Sequence, residues 1–262
     1  MFEELIKKTG LSRDMVEASL EAAIEESLYN CLGIYDCDID LKERTAVGVF
    51  RVSQDISIEE ALVFNKGVVG QDIVTVRFDF ASFPKRVVRQ CSEIFPRVLL
   101  DMEASVKYKE WRAKRRSVTE GVVIDRTGNE VTLDLGSQPG FLLREEWVLS
   151  EAEKRYRNGR PMFVYVLRVE RDRSAVNVYV SRQSINLPVA LMKREIPWHR
   201  FAPVWRKAGH KCVIATDSSL DDKTLKAARK NVGKELGERV ILTGFFKKQP
   251  PEIRKGTAQL VT

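Results

Sequence analysis

Residues 120–136 read EGVVIDRTGNEVTLDLG, residues 138–149 read QPGFLLREEWVL, and residues 163–182 read FVYVLRVERDRSAVNVYVSR. Together they contain five short runs in which apolar and polar residues alternate: Gly121–Arg126, Glu130–Leu135, Gly140–Arg144, Met162–Glu170 and Val176–Arg182. A period of two is the signature of half-buried strands. Gly128-Asn129 supplies a tight turn between the first two runs. Ser150–Arg157 reads as a short helix between the third and fourth, closed by Asn158-Gly159.

Five strands with a helix after the third is the strand order of an OB-fold, a small barrel that binds oligonucleotides across its second and third strands. Such a face needs aromatic rings on which bases stack and cations that follow the phosphates. Phe141 and Arg144 on the third run, Arg126 and Arg168 near the ends of the first and fourth, and Tyr179 and Arg182 on the fifth are the candidates. Val131, Leu133 and Leu135 share the parity of a core face, with Thr132 and Asp134 pointing outward. The fourth run is apolar on both faces, which leaves Tyr165 either in the barrel core or on the binding face.

The whole chain has 262 residues, 44% hydrophobic and 31% charged, enough for two or three small domains. No apolar run approaches the roughly 18 residues that span a bilayer, and Met1-Phe2-Glu3-Glu4 opens no signal-peptide core. The expectation is a cytoplasmic protein. The four cysteines, Cys31, Cys37, Cys91 and Cys212, form no CxxC pair and there are two histidines, so the thiols read as free and no metal or cofactor site is expected. Charge is unevenly spread. Residues 1–104 hold 12 basic and 19 acidic residues and the remainder 32 and 18, a formal −7 against +14. An acidic front suits a protein partner, and a basic back suits a polyanion such as nucleic acid.

Upstream of the barrel the pattern is α/β. Ser12 caps a helix over Arg13–Leu32. Cys37–Leu41 and Val47–Val52 form two strands joined at Glu43-Arg44-Thr45. Ser57–Ala61 reads as a short helix and Ile73–Phe78 as a strand. A helix runs from Lys85 to about Arg115, kinked or split at Pro96. Its end, Lys107–Arg116, is a basic connection that either contacts RNA or is a solvated helix end. Downstream, Lys223, Lys226, Arg229, Lys230 and Lys234 mark one basic helix, either a phosphate-contacting patch or a solvated face.

The barrel sequence GVVIDRTGNEVTLDLG, GFLLREE and VYVSR resembles the S1 RNA-binding domain. IDLKERTAVGVFRV, DISIEEAL and GQDIVTVRFDFASFPKRVVRQCSEIFPRVLLDMEAS resemble, in order, the N-terminal domain of the bacterial transcription factor NusA. Pro188–Pro197, RKAGHKCVIATDS and ELGERVIL resemble the helix and strands of the first KH domain of that family. The resemblance covers nearly all of residues 1–250. It implies an α/β N-terminal domain over 1–115 that docks on RNA polymerase near the RNA exit channel, an S1 barrel over 116–184, and a KH-like domain over 185–246. It implies a factor that takes nascent single-stranded RNA and modulates pausing, termination or antitermination. A KH domain clamps RNA through a GxxG loop between two helices, and none follows the barrel here, so the KH-like domain reads as truncated and the chain as a shortened relative. Residues 247–262 read as a basic, extended arm.

Catalysis is not expected. Asp36, Asp38 and Asp40 alternate as the solvent side of a strand, Gly67-Val68-Val69-Gly70 lacks flanking KH helices, and no GxxxxGK loop is present. The expected molecule is an elongated, multidomain, monomeric RNA-binding factor. Arg126, Phe141, Arg144, Arg168, Tyr179 and Arg182 on the barrel, with Lys226, Arg229 and Lys230 beyond it, are its RNA contacts. The alternative is a free-standing S1-type protein acting in translation or RNA decay without polymerase contact.

Overall fold

The computed structural model of the chain describes residues 2–51, 69–70, 73–151, 154–217 and 223–245. They group into two compact units. The first comprises Met1–Ala113 with Glu170–Asn177, and the second Lys114–Val169 with Val178–Thr262.

In the first unit, α1 (Phe2–Thr9) and α2 (Arg13–Leu32) precede strands β1 (Ile34–Asp40), β2 (Thr45–Arg51), β3 (Val69–Gly70) and β4 (Ile73–Asp79), and α3 (Lys85–Ala113) follows them. The Ser12 hydroxyl accepts the Met15 N–H at 3.4 Å, satisfying one of the orphan donors at the start of α2. Gly33, at φ 67°, closes that helix in the left-handed conformation glycine tolerates, and its N–H donates to the Tyr29 carbonyl. The sheet order is β1-β2-β4-β3. It packs on α2 and α3 through Ile24, Leu28, Ile34, Ala46, Val76, Phe78 and Val87.

α3 is one continuous helix with Pro96 inside it, so of the two expectations, a kink or a split, the split does not occur. An internal proline removes one helical hydrogen bond and costs about 3 kcal/mol. Buried Ile94 and Leu99 on either side, and an ion pair from Arg97 to Glu26 of α2, hold the helix across that defect. Asp36, Asp38 and Asp40 are all exposed. Asp40 accepts the N–H groups of Glu43 and Lys42, each at 2.9 Å, and these bonds hold its carboxyl below its ordinary pKa. The helix expected over Ser57–Ala61 lies outside the described residues. α1 was not anticipated: its charges run acidic to basic, as a helix dipole prefers, but it is only eight residues long.

The second unit holds β5 (Val118–Arg126), β6 (Glu130–Asp134), β7 (Pro139–Leu143), and β8 (Pro161–Asp172) up to Val169 and β9 (Ala175–Ser181) from Val178; these strands close into a barrel in the order β5-β6-β7-β9-β8. Val123, Val131, Leu133, Leu142, Val164, Val166, Val178 and Val180 are buried. Between β7 and β8 lie 3-10 turns at Arg144–Glu146 and Leu149–Glu151, and the described residues of Ser150–Arg157, where a helix was expected, form no α-helix. There the Tyr156 ring packs 5.5 Å from that of Trp147, and its hydroxyl accepts the Val148 N–H at 2.9 Å.

The chain continues through α4 (Leu187–Glu195), β10 (Phe201–Lys207), β11 (Lys211–Thr216), α5 (Lys223–Leu236) and β12 (Arg239–Gly244). β11 pairs antiparallel with β10 and parallel with β12. Leu187, Met192, Cys212, Ile214, Leu225, Val232, Leu236 and Val240 form a core that also takes in Tyr165 of β8, with Val118, Phe163 and Leu167 packed against it. This explains the doubly apolar fourth run. One face of β8 fills the barrel, and the other is covered by the α4–α5 layer. Tyr165 therefore sits in that second core, in neither of the two places left open by its sequence.

Candidate nucleic-acid interface

Period two along β7 and β9 sends Leu142, Val178 and Val180 inward, so Phe141 and Tyr179 must leave the barrel on its outer side. β7 and β9 pair in parallel with Phe141 opposite Tyr179. The two rings lie 6.0 Å apart at 45°, both half-buried. The Arg168 guanidinium sits 4.2 Å above the Tyr179 ring, within cation–π range. On the other side of Phe141, β6 places Thr132 directly opposite. Three of the six barrel residues named from sequence thus converge into one aromatic platform with a cation on it.

Arg126 and Arg144 belong to another part of the barrel, beside the turn at Thr127–Asn129. Both are exposed. Arg126 stands 5.2 Å over the ring of Trp147, whose indole N–H donates to the Leu142 carbonyl at 2.9 Å. Arg144 donates its backbone N–H to the Asn129 carbonyl at 2.8 Å and a guanidinium N–H to the Gly128 carbonyl at 3.4 Å. Lys226, Arg229 and Lys230 form a separate exposed set on α5, opposite its buried stripe of Leu225, Ala228, Val232 and Leu236.

Arg182 is a correction. It was expected to contact RNA, but its side chain is fully buried. Its Nε and Nη2 donate to Glu151 at 2.9 and 2.5 Å, and its Nη1 donates to the Phe163 carbonyl at 2.6 Å and to Glu235 at 3.2 Å. Burial would lower its pKa, but the hydrogen bond and charge of Glu151 outweigh that and hold it above its ordinary value. Arg155 also reaches Glu235, at 2.9 Å. A second buried pair, Arg206 with Glu238 at 2.7 Å, adds donors to the Ser184 carbonyl at 2.5 Å and from Gly209 N–H to Glu238 at 2.9 Å. These networks gave no local signal in the sequence, because Arg182 and Glu151 stand 31 residues apart and Arg206 and Glu238 stand 32 apart.

Among the described residues no group of three His, Cys, Asp or Glu side chains is placed to hold a metal. All four cysteines are free thiols. No helix among the described residues is long and apolar enough to cross a membrane.

No protein-family model matches the chain. Three curated relatives do, each named transcription termination/antitermination protein NusA. The protein of Thermus thermophilus is 27% identical over 146 residues, covering 55% of this chain and 37% of that protein. Those of Halalkalibacterium halodurans and Bacillus subtilis are 20% and 23% identical over 205 residues, covering 74% of this chain and 53% and 54% of theirs. The chain thus has a NusA-like relationship at low identity, and it spans about half the length of these relatives or less.

Proposed function

We propose that this protein is a non-catalytic RNA-binding transcription factor of NusA type. Residues 1–115 dock on RNA polymerase. The barrel of 116–184, an OB-fold of S1 type, holds emerging single-stranded RNA, and the KH-like layer of 185–246, without a GxxG loop, stands beside it. The observation that carries this reading is the Phe141–Tyr179 ring pair with Arg168 above it. Rings of this kind accept any base on their faces at about 1–3 kcal/mol per base, and neighbouring cations take the phosphates.

The charge division supports the same assignment of roles, with the acidic front turned to a protein and the basic back to RNA. The names of the three relatives agree with it. Anchoring on polymerase raises the effective concentration of the barrel at the transcript, so modest RNA affinity suffices for action on pausing, termination or antitermination.

The test uses the full chain in two assays. It should co-elute with core RNA polymerase at moderate salt, and it should bind fluorescent single-stranded RNA with an affinity that falls steeply as salt rises. RNA binding without polymerase co-elution would favour the free-standing RNA-binding alternative. Failure of both assays would end the proposal.

A further inference from the structure

The three-stranded sheet β10-β11-β12 has one face under helices, carrying Cys212, Ile214 and Val240 into the core. Its other face is written in cross-strand rows. By register, Trp205, Val213 and Ile241 form one row and Lys207, Lys211 and Arg239 the next. Trp205 is 48% exposed, Lys207 and Arg239 are exposed, and Lys211, Val213 and Ile241 are half-buried. The register shift between Pro203 and Trp205 brings Val204 out as well, at 45% exposure.

The two faces treat charge oppositely. Arg206, between Trp205 and Lys207 in sequence, points to the helix side and is neutralised by Glu238. Among the described residues, Lys207, Lys211 and Arg239 take part in no ion pair. Strands lie about 4.8 Å apart, so the three cations span roughly 10 Å, and Trp205 stands two residues, about 6.6 Å, along its strand from Lys207. An exposed indole beside a line of cations that no described carboxylate pairs with has the two elements a single strand of nucleic acid requires, a ring for a base and charge for the phosphates.

We infer that this open sheet face is a second single-stranded RNA site, with Trp205 stacking a base and Lys207, Lys211 and Arg239 holding the adjoining phosphates. It is distinct from the barrel platform and from the cations of α5. The identity of the ligand as RNA rests on the proposed function. The charge complementarity is with a polyanion, and the indole selects one that carries planar bases.

The experiment measures binding of a fluorescent single-stranded RNA of mixed sequence to the full chain, for wild type, Trp205→Ala, the triple variant Lys207→Gln/Lys211→Gln/Arg239→Gln, and Phe141→Ala. Trp205→Ala should weaken binding roughly five- to tenfold. The triple variant should reduce the slope of log K against log salt by about 2, at about 0.7 per phosphate contact on a single strand. Bound RNA should also protect Lys211 of the wild-type protein from acetylation while Lys7 remains reactive, a readout independent of any variant's folding. If both sheet variants bind as wild type and Lys211 is unprotected while Phe141→Ala loses affinity, the sheet site falls and the barrel reading stands. If Phe141→Ala binds as wild type while the sheet variants lose affinity, the barrel platform falls and the sheet site stands. If wild type binds no RNA, both fall. Equal protection of Lys211 by poly-glutamate, insensitive to Trp205→Ala, would reassign the face to an acidic protein segment and overturn the inference.

Discussion

Phe141 and Tyr179 face each other across the parallel β7–β9 pair, with ring centroids 6.0 Å apart, on the outer side of the barrel. Their in-chain neighbours are buried valines, a leucine and a glycine, so the pleat holds both rings outward and in register. Arg168 over Tyr179 fixes one edge of the platform.

If the platform stacks bases, Phe141→Ala and Tyr179→Ala will each weaken RNA binding by about 1–3 kcal/mol. The rings touch each other, so the two losses will not add. A double-mutant cycle in fluorescence anisotropy should give a coupling of about 0.5–1.5 kcal/mol.

Arg182 acts on stability rather than on RNA. Replacing it with Met removes both guanidinium hydrogen bonds from buried Glu151, leaves it only Arg155 at 3.9 Å, and should cost about 3–5 kcal/mol, read as a lower urea midpoint. The salt dependence of RNA binding by the folded variant should match wild type, because a fully buried guanidinium meets no phosphate.

Alkaline pH will destabilise the second unit by way of Tyr156. Burial pushes its pKa from 10.0 up to about 12. The folded state therefore holds the phenolic proton more tightly than the unfolded chain. Its contribution is complete below about pH 10 and is lost as pH rises to 12, a fall of about 2–3 kcal/mol. Tyr156→Phe removes this slope. At neutral pH it loses the acceptor for the Val148 N–H, at a cost of about 1 kcal/mol. Denaturant unfolding at pH 8 and pH 11 checks both signs.

Gly209 joins β10 to β11 at φ 78°, with its Cα turned towards the barrel. A Cβ there would press on Ser150 Oγ and lie 2.8 Å from Val148 Cγ1. Gly209→Ala combines a strained backbone with this clash and should cost about 1–3 kcal/mol in thermal or chemical unfolding. Gly128→Ala, where nothing lies within 4 Å and φ is not left-handed, should cost less.

Much of the local structure was legible. Ser12 caps α2 as read because capping is a matter of neighbouring backbone donors and acceptors, and the barrel runs appear as strands because period two is written in consecutive residues. The helix over Ser150–Arg157 failed for the opposite reason. Its segment is shaped by Tyr156 meeting Trp147 and Val148, and by Glu151 turning to Arg182, and these partners are set by tertiary contact. Of the site residues, Phe141 and Tyr179 were named from the runs that carry them, and the structure puts both rings on the outer side of the barrel. Arg182 could not be placed in this way, since a strand-end arginine reads the same whether it meets water or a carboxylate 31 residues away.

The sequence by itself determined the period of each strand, the N-cap of α2, the separation of an acidic front from a basic back, and the aromatic and basic residues from which the proposed binding face is made. Each depends on near neighbours or on composition. Only the tertiary structure decided which of those residues meet. It put Arg168 on Tyr179, drew Arg182 into a buried ion pair, and covered the second face of β8 with α4 and α5. Burial and pairing between distant residues are fixed when the chain closes its sheets and excludes water, and no local stretch of sequence carries that information.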